Sequence, residues 1–218
     1  MAESSHPPQS SPLARHAGAV ALTAGVFFAV TDLGRFPLVD DRLVLATDPV
    51  VLTVNAAFFF AFVGLLVALV ALHERLGPAC GRFGLFAFLV ALLGTMTQGG
   101  NMWFDAFAAP WLAEVLPQAF VVSKTTILQV GGLLSYVLLA LGWALQGVAW
   151  LRARVVPVAV SVAVVVGGLL AYNSGMPPYG TPLGLAVAAL GGWLITQDRQ
   201  HARAQTQDSR TQTQDSRT

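Results

Sequence analysis

Three polar residues near the middle of the chain have the types and the spacing of a site. Gln98, Asn101 and Asp105 are spaced i, i+3 and i+7, so they share one face of a helix. Because unsatisfied polar groups are costly in lipid, such a stripe in a membrane helix faces protein or a water-filled cavity. Two interpretations stay open. The side chains either join neighbouring helices or lie at the water surface, or they line a pocket for a ligand or substrate.

Two amides on other predicted helices lie at a similar depth. Asn55 comes one turn inside the outer end of its segment, and Gln129 does the same in a later segment. Together with Gln98, Asn101 and Asp105, they are the candidate ligand-binding residues. The pattern identifies no catalytic residue. Two further polar residues lie deeper and are assigned to packing: Ser135 and Gln146.

The sequence predicts neither a metal site nor a cofactor. Cys80 is the only cysteine, so a CxxC motif is impossible, and no HExxH, GxSxG, P-loop or GxGxxG motif is present. The four histidines lie in the tails or at helix ends, which argues against haem. The net charge of +1, without a basic patch that contains aromatic residues, argues against a nucleic-acid partner.

The composition indicates an integral membrane protein. Of 218 residues, 55% are hydrophobic and 11% are charged, against about 25% charged in soluble domains, and the mean hydropathy is +0.65. Apolar stretches near the length of a bilayer crossing predict an all-α fold, a bundle of six transmembrane helices within residues 14–200. The polar ends, 1–13 and 201–218, are predicted to be disordered. The predicted spans are 17–39, 50–72, 83–105, 125–151, 155–172 and 181–196.

The placement of arginine predicts the orientation of this bundle. Positive residues near helix ends tend to stay on the cytoplasmic side. Seven positive residues fall on the same side as the N-terminus: Arg15, Arg75, Arg82, Arg152, Arg154, Arg199 and Arg203. Three fall on the other side: Arg35, Arg42 and Lys124. We therefore expect a multi-pass protein of the cell membrane with both termini in the cytoplasm.

The run Gly84–Glu114 is an apolar helix that leads into GGNMWFDAFAAPWLAE. It resembles a diffuse group of uncharacterised small multi-span membrane proteins from high-GC bacteria and haloarchaea. Their recurring pattern is a basic hairpin turn, an apolar helix, an aromatic-acidic-aromatic segment and a proline. The resemblance covers mainly residues 50–120. It implies a multi-span membrane fold and carries no activity with it.

Three functions stay open at this point. The first is a binding or accessory membrane subunit, which holds a lipid, a quinone-like or another small amphipathic molecule, or which joins a homo-oligomer or a membrane partner. The second is an intramembrane enzyme acting on a lipid or isoprenoid, with Asp105 as proton donor or acceptor, aided by Glu114 or Asp32. The third is a small transporter. We rank them in this order, and whether the chain is an enzyme stays open.

Overall fold

The chain is helical wherever it is described. The computed structural model describes residues 11–35, 46–120, 125–174 and 176–215, and the side chains of these as far as residue 207. Within these ranges there are helices and turns and no strand, which confirms the all-α prediction. Residues 1–10 of the predicted tail and 36–39 of the first predicted span lie outside the described residues. The helices are α1 (Pro12–Arg15), α2 (Ala17–Gly34), α3 (Pro49–Trp103), α4 (Ala109–Val115), α5 (Thr126–Ala153), α6 (Val158–Leu170) and α7 (Thr181–Asp215).

Helix α3 is bent into a hairpin. Gly81 has φ 59° and ψ −154°. Glycine adopts such a positive φ readily because it has no Cβ atom, whereas other residues rarely do. This residue divides α3 into a first arm, 49–80, and a second arm, 82–103. The arms lie against each other, since the rings of His73 and Phe88 stack with their centroids 3.9 Å apart. A single glycine therefore reverses the chain between the two arms.

In the described part of the chain, three helical segments are long and apolar enough to cross a membrane: Ala17–Gly34, Pro49–Val115 and Thr126–Ala153. Val158–Asn173 is a shorter apolar helix. The second segment has 67 residues and contains both arms of α3, so it covers the predicted spans 50–72 and 83–105. The predicted spans leave a turn at 73–82 between them. The prediction of this turn is wrong in extent, because the chain is helical there except at Gly81.

The longer helices pack in a closed order. Contacts run from α2 to α3, then to α5, α6 and α7, and from α7 back to α2. Glycines mark the closest approaches. A Cβ atom on Gly25 of α2 would lie 2.4 Å from the backbone nitrogen of Ala188 in α7. A Cβ atom on Gly142 of α5 would lie 2.3 Å from Cα of Ala91 in α3. The packing of the bundle therefore depends on the missing side chains at these positions.

Aromatic side chains fill the middle of this arrangement. The ring of Phe28 in α2 lies 5.1 Å from that of Phe58 and 5.0 Å from that of Phe62, both in the first arm of α3. Tilted and edge-to-face pairs at these distances are favourable beyond the apolar area that they bury. Trp143 and Trp150 of α5 are also fully buried. These five residues join α2, α3 and α5 through one apolar core.

An ion pair ties the first arm of α3 to α7 at one end of the bundle, which we call the Arg75 end. The guanidinium of Arg75 donates two hydrogen bonds to the carboxylate of Asp198, of 3.0 and 2.5 Å. Ser11 donates a hydrogen bond to the neighbouring Glu74. An open groove of about 700 Å³ lies here, lined by Ser11, Ala14, Arg15, Glu74, Arg75 and Asp198.

The Arg75–Asp198 pair should make a small, pH-dependent contribution to stability. The hydrogen bonds from Arg75 lower the pKa of the Asp198 carboxyl. A lowered folded-state pKa means that the contribution is complete above the unfolded pKa of about 3.9 and is lost as the pH falls through the lower folded value. Because Asp198 is largely exposed, Asp198→Asn should cost less than about 1 kcal/mol at pH 7. Thermal unfolding of both forms at pH 7 and pH 3 checks this, and a difference that grows at pH 3 contradicts it.

The C-terminal tail differs from the predicted disorder. Helix α7 continues to Asp215, well beyond 196, where the last predicted span ends. It includes most of the segment 201–218, and its residues 201–207 are exposed. Gln, Arg and Ala recur in this segment, and all three have high intrinsic helix propensity. Helical propensity and continuity with a packed helix therefore outweigh the polar composition on which the prediction of disorder rested.

Candidate functional site

The end of the bundle opposite Asp198 contains a charged cluster, which we call the Arg35 site. Asp32 lies in the last turn of α2 and is fully buried. Its Oδ2 atom accepts hydrogen bonds from the backbone N–H and the hydroxyl of Thr181, each 2.8 Å long. Thr181 is the first residue of α7, so Asp32 caps this helix from another helix. A carboxylate at a helix N-terminus is stabilised by the unpaired N–H groups and the helix dipole.

Arg35 directly follows α2 and reaches three other parts of the chain. Its guanidinium carbon lies 4.7 Å from the centroid of the Phe58 ring, within the range of a cation–π contact. Its Nη1 atom donates to the backbone carbonyl of Ser174, 3.3 Å away. Its charge interacts with those of Asp32 and Asp105. One guanidinium thus links α2, the first arm of α3 and the segment that precedes α7.

Asp105 reaches this site from a π-helical turn, Phe104–Ala108. The turn follows α3 directly and is followed by α4. A π turn inserts an extra residue into the helical repeat, so residues after it no longer lie on the face that a 3.6-residue period predicts. Asp105 is half-buried and interacts electrostatically with Arg35. Such turns occur frequently at functional sites.

Gln98 and Asn101 contact α5 through Ser135. Nδ2 of Asn101 donates to Oγ of Ser135 at 2.6 Å and to Oε1 of Gln98 at 3.2 Å. The hydroxyl of Ser135 donates to the same Gln98 oxygen at 2.8 Å. Gln98 and Ser135 are buried. The assignment of Ser135 to isolated packing is therefore wrong, since it joins the two amides of the second arm to α5.

The five candidate residues lie in different surroundings. Gln98 and Asn101 bond to Ser135, whereas the sequence left open either a pocket or a polar contact with Asn55 or Gln129. Asn55 is 5% exposed, and its Oδ1 atom has no hydrogen-bond partner among the described residues. It lies one helical turn before Phe58, whose ring contacts the guanidinium of Arg35. Gln129, in the first turn of α5, is exposed. Asp105, on the π turn, lies near Arg35.

Comparisons with family models, with curated proteins and with solved structures find no match for this chain. The assignment of the candidate site therefore rests on its geometry. Arg35 was not among the candidate ligand-binding residues that the sequence predicted. The signal that could have found it is its spacing of three from Asp32, which places both charges on one helix face. Nothing in the sequence indicated that Asp105 would also interact with the guanidinium of Arg35.

The described residues offer no set of ligands for a metal ion. Within 11–35, 46–120, 125–174 and 176–215, no group of three or more His, Cys, Asp or Glu side chains could hold one. The two carboxylates of the Arg35 site, Asp32 and Asp105, both interact with the guanidinium of Arg35, which is a cation itself. The arrangement suits hydrogen bonding and ion pairing.

Among the described residues of the core, Gln146 is the polar residue whose burial should cost the most free energy. It is fully buried, and neither atom of its amide has a hydrogen-bond partner among the described residues. Gln146→Leu should therefore raise the free energy of unfolding by about 1–3 kcal/mol, the cost of burying an unpaired polar group. Thermal unfolding of the purified chain measures the change.

Gln98→Leu is the matched control for that substitution. The side chain of Gln98 is equally buried, but its Oε1 atom accepts from both Asn101 and Ser135. The change from Gln to Leu should here lower stability, since each lost hydrogen bond costs about 1 kcal/mol. The loss is partly offset, because Nε2 of Gln98 has no hydrogen-bond partner among the described residues. If both variants shift the melting temperature in the same direction, hydrogen bonding does not distinguish the two amides.

Proposed function

We propose that this chain is an integral membrane protein of six transmembrane helices that binds a lipid or another small amphipathic molecule at the Arg35 site. The single observation that carries the binding site is the convergence of Asp32, Arg35 and Asp105 at the ends of apolar helices. Charged residues in such helices are costly, and each one is by default a candidate for a functional site. The π turn that positions Asp105 supports the same conclusion.

The lengths of the helices support the proposal of six transmembrane helices. Each arm of α3 exceeds 20 residues, and at about 1.5 Å per residue a 20-residue helix matches the 30 Å hydrocarbon core. Counted separately, the two arms join α2 and α5 as spanning helices. The shorter α6 and the apolar first half of α7 would complete the bundle. Their limited length requires tilted neighbours or a locally thinner bilayer.

Contacts at the Arg75 end support the proposed orientation. Arg75 pairs with Asp198 of α7, and the guanidinium carbon of Arg152 lies 5.0 Å from the ring centroid of Phe83, just after the bend of α3. These contacts place arginines of two helices, α3 and α5, at the same end of the bundle. By the positive-inside rule this end is cytoplasmic, and the Arg35 site lies in the outer half.

Labelling with a membrane-impermeant thiol reagent in intact cells tests the orientation. In a Cys80→Ala background, Met176→Cys should react, since Met176 is exposed and lies at the Arg35 end. Arg199→Cys should react only after the membrane is permeabilised. The opposite pattern overturns the orientation, and equal labelling of both positions in intact cells overturns the spanning arrangement.

Native mass spectrometry of the purified chain tests the binding site. We expect an amphipathic molecule to co-purify with the wild-type chain and to be lost from Asn55→Leu, which removes a buried amide one helical turn before Phe58. Gln146→Leu is the control, because it removes a buried amide from another part of the bundle. If neither the wild type nor the control carries such a molecule, the binding proposal fails.

An enzyme that acts on a lipid or isoprenoid is the second candidate, and the position of Asp105 favours it. A half-buried carboxylate next to a guanidinium has the geometry to hold or move a proton at its Oδ atoms. Asp105→Asn keeps the shape of the side chain and removes its charge. Unchanged turnover of a lipid that co-purifies with the chain would exclude Asp105 as the proton-handling group.

A further inference from the structure

We infer that two copies of this chain form a dimer through the end of α7, where their helices pair as a parallel, in-register coil. The paired part, which we call the extension, follows Asp198 and comprises residues 199–215. Helix α7 continues to Asp215, and residues 199–207 are exposed. The inference goes beyond the proposed function and does not depend on what the Arg35 site binds.

The extension needs a partner to be a stable helix. Isolated helices of about 15 residues are marginal in water even when they are rich in alanine, and the extension is rich in Gln, Thr and Asp. A helix that is polar on all sides is supported by ion pairs between residues three or four apart. In the sequence, no opposite charge stands at that spacing from any of four charged residues: Arg203, Asp208, Arg210 and Asp215.

The charges of the extension repeat every seven residues. The segment QTQDSRT occurs twice, at 205–211 and at 212–218, and Arg203 precedes Arg210 by seven residues. Positions seven apart differ by only about 20° around a helix. The arginine positions therefore form one stripe along the extension, and the aspartate positions form another.

The offset between the two stripes matches the contacts of a parallel pair. In a parallel two-stranded coil, heptad positions e and g flank the seam, and each g residue faces the e residue five positions later on the partner. With Arg203 and Arg210 at g, the e positions five residues later are Asp208 and Asp215. Each arginine of one copy thus meets an aspartate of the second copy.

The charges and the membrane select the same orientation. In an antiparallel pair g would face g and e would face e, which would bring like charges together. Copies inserted in the same direction in one bilayer extend α7 from the same side, so their extensions run parallel. The charge pattern therefore fits a second copy of this chain in the same membrane.

The seam of this coil is polar. Its a positions are Ala204 and Thr211, and its d positions are Gln207 and Gln214. A glutamine amide both donates and accepts hydrogen bonds, so identical d residues of two copies can bond to each other. Polar seam residues fix the register of a coil at a cost in stability, which leaves the choice of partner to the charges at e and g.

Cysteine cross-linking in isolated membranes tests the seam. All variants carry Cys80→Ala, since Cys80 is the only cysteine of the chain. During oxidation with copper phenanthroline, Ala204→Cys and Gln207→Cys should form a linked dimer about tenfold faster than Gln205→Cys and Thr206→Cys, because only seam positions bring the Cβ atoms within disulfide distance. Equal rates at all four positions indicate random collision and overturn the inference.

Charge reversal in the Gln207→Cys chain tests the pairing. An acidic variant carries Arg203→Glu and Arg210→Glu, and a basic variant carries Asp208→Arg and Asp215→Arg. Each variant alone should cross-link about tenfold more slowly than the unreversed chain, because like charges face each other at every e and g contact. When the two are coexpressed with different tags, the mixed dimer should form at the unreversed rate, since every g residue again faces an opposite charge.

Each other outcome contradicts the inference. Unchanged cross-linking of the acidic variant alone, or no mixed dimer on coexpression, shows that two copies do not pair through these charges. Loss in the acidic variant with full cross-linking of the basic variant assigns the arginines to an anionic surface. Because the extension lies at the end of the bundle opposite the Arg35 site, every variant should keep a molecule that co-purifies with the wild type, so failure here is distinct from failure of the proposed function.

Discussion

Gly142→Ala should be among the most destabilising single-methyl changes in this protein. A Cβ atom at this position would lie 2.3 Å from Cα and 2.4 Å from the nitrogen of Ala91. These are backbone atoms, which cannot rotate away, so α5 and the second arm of α3 must move apart. The penalty should reach the upper end of overpacking effects, about 3 kcal/mol. For a chain of this size that corresponds to a fall of roughly 6–12 °C in the melting temperature.

Gly132→Ala is the matched control on the same helix. No heavy atom of the described residues outside its own helix lies within 4 Å of the Cβ position at Gly132. Alanine is favoured over glycine within a helix by about 1 kcal/mol, so this variant should melt at the same temperature as the wild type or higher. Equal melting temperatures for Gly132→Ala and Gly142→Ala would show that α3 and α5 do not approach each other as described.

Gly94→Ala tests the same contact from the other helix. Its Cβ atom would lie 2.3 Å from the backbone carbon of Leu138 and from the nitrogen of Leu139. Because either change separates the same two helices, the double variant with Gly142→Ala should lose less stability than the sum of the two single losses. Additive losses would place the two glycines at independent contacts.

Asp32→Ala should produce the second large loss. The change removes the acceptor that caps α7 through Thr181, and it takes away one of the carboxylates that balance Arg35. Breaking a buried charge pair costs about 3–5 kcal/mol, and the lower end applies here because Arg35 is only partly buried and keeps its interaction with Asp105. Thermal or denaturant unfolding in detergent measures the loss.

Two variants separate the causes of this loss. Asp32→Asn keeps an oxygen for Thr181 and removes the charge, so it should recover the part of the loss that is due to capping. Asp198→Ala breaks an ion pair that is largely exposed and should cost less than about 1 kcal/mol. If Asp32→Ala is no more destabilising than Asp198→Ala, the Arg35 site does not hold α2 and α7 together.

Local signals in the sequence predicted helix starts well. The carboxylate of Asp48 accepts hydrogen bonds from the N–H groups of Val50 and Val51, of 2.8 and 3.1 Å. An Asp followed by a Pro is a start signal for a helix, and α3 begins at Pro49. Pro182 lies in the first turn of α7, as its missing N–H group requires. These features depend on residues within one turn of each other, so the sequence alone contains them.

Contacts between helices were harder to predict. The sequence identified the polar stripe but not its contacts. Gln98 and Asn101 bond to Ser135 on α5, whereas Asp105 interacts with Arg35. A helical period assigns residues to a face but does not say which neighbour that face meets. The π turn after Trp103 then changes the period itself, and no residue in Phe104–Ala108 signals this in the sequence.

The sequence by itself determined the helical class, the apolar segments and most helix boundaries, because these depend on composition, periodicity and capping within a few residues. Only the tertiary structure decided that Gly142 meets Ala91 while Gly132 meets nothing, and that Asp32, Arg35 and Asp105 form one site. Both depend on how each helix is rotated about its axis and how deep it lies against its neighbours. That rotation is set by the packing of the whole bundle, since every side chain on a helix moves together with it.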